Sequence, residues 1–286
     1  MTTKQIINAV GRVGFWLLII VIILYTLFPF YWAVNSSFKT EEEIIRPATY
    51  LPPSLATGLY TRNYEAVFAN SLFTNGLVNS AIVSGITVLL ALVVGSFAAY
   101  ALGRVRFKGR SVMLYLVLAM TMFPTISILS GLYAIVRDLG IFGTIGSLIL
   151  TYPIFTLPFT VWVLVSFFKG LPVELEQAAL VDGATAFQTF YMVLLPLTAP
   201  ALVTTGLLAF ISAWNEYLLA VSFTPTNPAA QTVPVAIARF TGVIARQEPI
   251  VEIMAASVVV TIPLIVLVLI FQNRIVEGLT AGAVKG

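Results

Sequence analysis

The sequence predicts an all-α, polytopic membrane protein with about six transmembrane helices. Three observations carry that prediction. Of 286 residues, 59% are hydrophobic and only 9% are charged, with a mean hydropathy of +0.99, whereas soluble domains carry about a quarter charged residues. Apolar runs of about 20 residues, the length that crosses a bilayer core, recur along the chain. The basic residues fall in short loops between those runs and form no basic face, so the net charge of +3 is a topology signal and nucleic acid is not a partner.

The first run, residues 15–34, follows Lys4 and Arg12. It is too long for a signal peptide and ends in Phe30, Tyr31 and Trp32 without a small-residue cleavage site, so it is expected to remain as a helix. The other runs cover residues 77–102, 112–134, 145–168, 200–223 and 254–271. Thr87, Ala91, Gly95 and Ala99 recur every fourth residue in the second run and give one small-residue face, read as helix packing. Pro124, Pro153, Pro158 and Pro263 release carbonyls at membrane depth, which suits a bundle with a polar interior. The loop holding Arg104, Arg106, Lys108 and Arg110 has no acidic residue and is expected to stay in the cytoplasm, putting both termini there. The chain then divides into an N-terminal helix with an outer segment, residues 1–76, and a core at 77–286.

With neither cysteine nor histidine, disulfides, thiolate nucleophiles, His-based zinc sites and Ser-His-Asp catalysis are excluded. No catalytic or metal site is predicted, and the chain is not expected to be an enzyme. A Gly-x-x-x-x-Gly-Lys-Ser/Thr loop is absent, so any nucleotide chemistry belongs to another chain.

The polar stretch 171–196 interrupts the pattern. Pro172 suits a first helical turn, Glu174 and Glu176 suit the positive end of a helix dipole, and Gly183 suits the left-handed position beyond the end, so a helix is predicted over 173–182. Thr185 and Gln188 form a Thr-x-x-Gln capping box, with Phe187, Phe190, Val193 and Leu194 following at helical spacing. A membrane-surface helix would favour Lys and Arg; this one is acidic, with Ala178 and Ala179, and suits docking into a protein cleft.

Glu176-Gln177-Ala178-Ala179, then Asp182-Gly183-Ala184, then Leu195-Pro196 resembles the EAA-loop signature of permease subunits in ATP-binding-cassette (ABC) importers of the maltose-type carbohydrate class. The likeness extends to Ser37-Phe38-Lys39, Asn79-Ser80, Ala99 through Arg110, Trp214-Asn215-Glu216-Tyr217 and the tail from Gly278. The resemblance implies a type I ABC importer permease fold in a bacterial or archaeal cell membrane. It implies, as partners, a second related permease, an ATPase dimer that holds ATP and Mg²⁺, an extracytoplasmic sugar-binding protein and membrane lipid. By the same resemblance the helices at 172–195 are coupling helices, with Glu174, Glu176, Gln177, Ala178, Ala179, Asp182, Gly183, Thr185 and Phe187 at the ATPase and Lys285 and Gly286 in a tail that reaches it. Gln177 stands where the family pattern has glutamate, and it hydrogen-bonds without charge assistance.

Within the fifth run, Ser212, Trp214, Asn215, Glu216 and Tyr217 are the densest polar group. Aromatic anchoring at the outer interface explains Trp214 and Tyr217 at least as well as a substrate path does. Asn215 and Glu216 are candidates to line the translocation path between the two permeases, and Glu216, ionisable within a span, is equally a candidate gate contact to the partner permease. An ion-coupled transporter would need several such residues, and only Glu216 qualifies; a structural subunit would leave the acidic segment unexplained.

Overall fold

The computed structural model describes residues 3–45, 50, 53, 58–240 and 249–283, and the described residues contain no strand. The helices are α1 (Thr3–Ser37), α2 (Glu41–Ile45), α3 (Arg62–Ala69), α4 (Ser71–Gly103), α5 (Arg110–Thr121), α6 (Thr125–Asp138), α7 (Ile145–Thr151), α8 (Pro153–Gly170), α9 (Glu174–Val181), α10 (Ala186–Leu197), α11 (Ala199–Trp214), α12 (Leu218–Phe223), α13 (Val233–Phe240) and α14 (Ile250–Ala283). Four segments are long and apolar enough to cross a membrane: Gly11–Ser37, Ser71–Gly103, Ile145–Gly170 and Ile250–Arg274.

Two expected spans are not continuous. The third run is broken between α5 and α6, which meet at a 98° bend. Pro124 has no N–H to continue the ladder, and it sits in extended backbone as the residue before α6. The fifth run ends early, at Trp214, and resumes only as the six-residue α12. Counting each bent pair, α5 with α6 and α10 with α11, as one span restores six.

The chain forms two compact units, Met1–Asn70 with Arg239–Thr261, and Ser71–Ala238 with Ile262–Gly286. The first therefore includes a segment from far along the chain. In it, Asn63 Nδ2 donates to the carbonyls of Ser37 (2.9 Å) and Lys39 (2.8 Å). Ser37 Oγ shares a hydrogen bond with the Tyr64 hydroxyl (2.7 Å), while the Phe38 ring packs on Tyr64. The Ser-Phe-Lys sequence thus ties α1 to α3. Burial pushes the Lys39 ammonium below the usual lysine range, an effect partly offset by Glu43.

In the second unit the small-residue face of α4 does what its spacing predicts. Thr87, Ala91, Gly95 and Ala99 are buried, and a Cβ on Gly95 would stand 2.9 Å from Thr160 Cγ2 on α8. Small side chains let the backbones approach where lipid supplies no hydrophobic drive. One apolar core gathers Val83, Leu148, Tyr152, Leu219 and Phe223; a second gathers Leu102, Leu164, Phe168, Phe190 and Leu194. Asn79 Nδ2 donates to the carbonyls of Ala229 (2.8 Å) and Gln231 (2.9 Å), and the Val233 N–H donates to Ser80 Oγ (2.9 Å). The Asn-Ser pair that begins the second span thereby pins the loop preceding α13.

Candidate functional site

Helix α9 is specified locally and fastened from a distance. Its N-terminal turn holds Glu174 and Glu176, where carboxylates oppose the dipole. At its other end Gly183 adopts φ +83°, its N–H donates to the Leu180 carbonyl, and the Ala184 N–H donates to Ala179. This paired closure satisfies carbonyls that a helix end leaves orphaned, and glycine accepts the left-handed backbone without penalty. The capping box forms as its spacing predicts: the Gln188 N–H donates to Thr185 Oγ1 (3.2 Å) and the Thr185 N–H to Gln188 Oε1 (2.8 Å).

The distant fastening comes from Arg104. Its Nε donates to Glu176 Oε1, its Nη1 to the carbonyls of Leu171 (2.9 Å) and Phe168 (3.3 Å), and its Nη2 to Pro172 (3.3 Å). One planar guanidinium thus closes the end of α8, holds the connecting turn and grips the first turn of α9. Its side chain is only 7% exposed. Arg110 does similar work for α4, donating to the carbonyls of Leu102 and Gly103 (2.6 Å to the latter). In the sequence both arginines read as topology signals, and nothing in it gave them a partner.

Helix α10 is not uniform. Residues Thr189–Leu194 are π-helical between α-helical turns at Ala186–Gln188 and Leu195–Leu197. Pro196 accounts for part of this, because its missing N–H leaves a carbonyl one turn earlier without its usual donor. Phe190 is buried against Phe97, Tyr100 and Phe168, which fixes α10 to α4 and α8.

These restraints sort the coupling candidates. Ala179 is buried, Glu176 is engaged by Arg104, and Thr185 belongs to the capping box. Glu174, Gln177, Ala178, Asp182, Gly183 and Phe187 are exposed. Around them Val173, Leu180 and Val181 expose apolar surface, Val181 at 88%. The result is a short helix that presents an apolar patch flanked by the Glu174 and Asp182 carboxylates. Lys285 and Gly286 lie outside the described residues.

The 214–217 group is distributed differently. The Trp214 ring is buried and stacks on Phe210. Asn215 turns back, its Nδ2 donating to the Ile211 carbonyl (2.9 Å). Tyr217 is exposed. Glu216 accepts the main-chain N–H groups of Leu219 (2.9 Å) and Ala220 (3.1 Å), so its carboxylate caps α12 and holds the break in the fifth run. Glu216 also faces a cavity of ≈ 270 Å³ with Thr125, Tyr152, Phe155, Thr156 and Ser212. Ser212 shares the fifth run with Glu216, but Thr125, Tyr152, Phe155 and Thr156 come from two other runs, and the sequence alone did not unite them with it. Among the described residues, no group of three or more His, Cys, Asp or Glu side chains is placed to hold a metal.

Residues 91–280 match the model of the family described as binding-protein-dependent transport system inner membrane component. The chain belongs to this family. It is 44% identical over 276 residues to the trehalose transport system permease protein SugB of Mycobacterium tuberculosis, covering 96% of this chain and 98% of that one. It is 42% identical over 263 residues to the trehalose/maltose transport system permease protein MalG of Thermococcus litoralis, covering 91% and 92%. A bacterial ABC transporter chain involved in import of the acidic polysaccharide alginate shares the fold, with a TM-score of 0.80 at 21% identity over 96% of this chain and 98% of that chain. The resemblance to carbohydrate-importer permeases, with their multi-pass inner-membrane architecture, is therefore borne out, and the relatives are named as permeases, not as enzymes.

Proposed function

We propose that this chain is one of two permease subunits of an ABC importer that carries a di- or oligosaccharide into the cytoplasm, driven by a separate ATPase dimer that binds ATP and Mg²⁺. A saccharide-binding protein delivers the substrate on the outer side, and both termini of this chain lie in the cytoplasm. The observation that carries the reading is α9: a short helix closed at its C-terminal end by Gly183, held at Glu176 by a buried arginine, and presenting Val173, Leu180 and Val181 to the exterior. An apolar, mildly acidic knob on a stiff mount suits a protein cleft and transmits displacement without bending. The trehalose and trehalose/maltose named for the two relatives support a disaccharide as substrate.

Two substitutions test the docking. Val181→Asp places a charge at the centre of the knob, and at least a tenfold loss of ATPase copurification in detergent is expected, because an unpaired charge must be desolvated on docking. Unchanged copurification rejects α9 as the docking element. Gly183→Val acts on the backbone instead: no atom stands within 4 Å of an added Cβ, so the cost is the left-handed conformation, about 1–2 kcal/mol for a non-glycine residue and more for a β-branched one. The chain is expected to insert normally and retain less ATPase, read as the ATPase-to-permease ratio after purification.

A further inference from the structure

Four basic residues stand in the loop between α4 and α5, and the structure divides them into two pairs. Arg104 and Arg110 are engaged by main-chain carbonyls and by Glu176. Arg106 and Lys108 are exposed and, among the described residues, make no hydrogen bond or ion pair. Beside them Val105 and Phe107 expose 44% and 40% of their surface. The loop thus presents hydrocarbon and cation in turn: Val105, Arg106, Phe107, Lys108. The engaged arginines clamp both of its ends, and Gly109 closes it in the left-handed region at φ +90°. Its backbone is therefore fixed before anything binds.

Position decides what the loop binds. The apolar run of α4 continues to Leu102 and the next begins at Val112, so no polar extension lifts the loop away from the level at which hydrocarbon gives way to headgroups. Helix α5, which follows, has no buried residue, and Val112, Met113, Tyr115 and Leu116 in its first turns are more than half exposed. An acidic protein surface would pair the two cations and leave the apolar pair without a match. An anionic lipid satisfies both, since its phosphate accepts from the cations while its glycerol and first acyl carbons cover Val105 and Phe107. We infer that Val105, Arg106, Phe107 and Lys108 form a seat for the headgroup of an anionic phospholipid in the leaflet that faces this loop. The inference goes beyond the importer reading and is independent of which solute passes.

The test uses the assembled importer in phosphatidylcholine vesicles, with a fluorophore on Ser111→Cys, an exposed neighbour outside the seat. The chain has no cysteine of its own, and the partner chains are made cysteine-free. Phosphatidylglycerol or phosphatidylcholine carrying a nitroxide near the headgroup serves as quencher. Phosphatidylglycerol is expected to reach half-quenching at about one fifth of the mole fraction or lower, the effect of roughly one cation at a charged surface. That preference is expected to shrink with added salt, to vanish in the double variant Arg106→Gln with Lys108→Gln, and to be absent for a label at Thr226→Cys in the loop before α13. The salt series leaves the seat intact, so it reads the site even where the double variant assembles poorly. Equal half-quenching by the two lipids overturns the inference, as does a preference that survives the double substitution or appears equally at Thr226→Cys. Quenching by neither lipid overturns it too, and a fluorescence change on removing the ATPase dimer then assigns the loop to a protein contact. Sugar uptake is not read, so failure of the importer reading leaves each of these outcomes distinct.

Discussion

Replacing Arg104 with alanine is expected to uncouple the ATPase from sugar, lowering sugar-stimulated hydrolysis at least tenfold in the reconstituted importer while the chain remains inserted. The guanidinium serves four acceptors at once: Glu176 and the carbonyls of Phe168, Leu171 and Pro172. Removing it strands a carboxylate of which only 23% is exposed and reopens the end of α8. Breaking a buried pair costs about 3–5 kcal/mol; the residual exposure of Glu176 puts this one near 3 kcal/mol. The loss falls on the mount of α9, so proteolysis between α8 and α10 should accelerate before the melting temperature falls. Glu176→Gln keeps a neutral acceptor and should cost less in both readouts. If Arg104→Ala hydrolyses ATP in response to sugar as the wild type does, the mount has no part in coupling.

Gly95→Val is expected to abolish recovery of monodisperse protein. The first added carbon would meet Thr160 Cγ2 at 2.9 Å, closer than real contacts, and Thr160 is fully buried on α8 with no room to retreat. Overpacking of this kind costs about 1–3 kcal/mol, and valine adds two further methyl groups beyond the clashing carbon. Gly95→Ala should give a milder loss, and Thr160→Ser, which removes the opposing methyl, should restore it. Rescue read as monodisperse yield by size-exclusion chromatography would establish the contact as the cause; equal recovery of Gly95→Val and wild type would refute it.

The features readable in advance share a short range. The Thr185–Gln188 box, the Gly183 turn and the bounds of α9 depend on residues within about one helical turn of each other, and all three appear where their spacing puts them. The stripe from Thr87 to Ala99 was legible for the same reason. What escaped depends on partners far along the chain. Arg104 meets Glu176 across 72 positions, and a basic residue in a short loop carries a local meaning that hides the remote one. Glu216 looked like an isolated charge because the N–H groups it caps exist only once α11 has ended. The third run was apolar enough to pass as one helix, and composition does not register that Pro124 turns it through a right angle. Tyr152 lies at the junction of α7 and α8 and shares a cavity with groups on α6 and α11 that the sequence does not place beside it.

The arginines of the loop after α4 are spent twice. During synthesis Arg104 and Arg110 count simply as positive charge, and any lysine would serve as well for holding a short loop on one side of the bilayer. Once the helices have assembled, the same two side chains are consumed as forked donors to carbonyls at the ends of α4 and α8, leaving Arg106 and Lys108 exposed. An exchange of either arginine to lysine is therefore expected to leave insertion unchanged and to lose the forked contacts of the assembled protein. The same side chains thus bear on two moments in the life of one molecule, insertion and assembly, of which only the earlier is visible as charge.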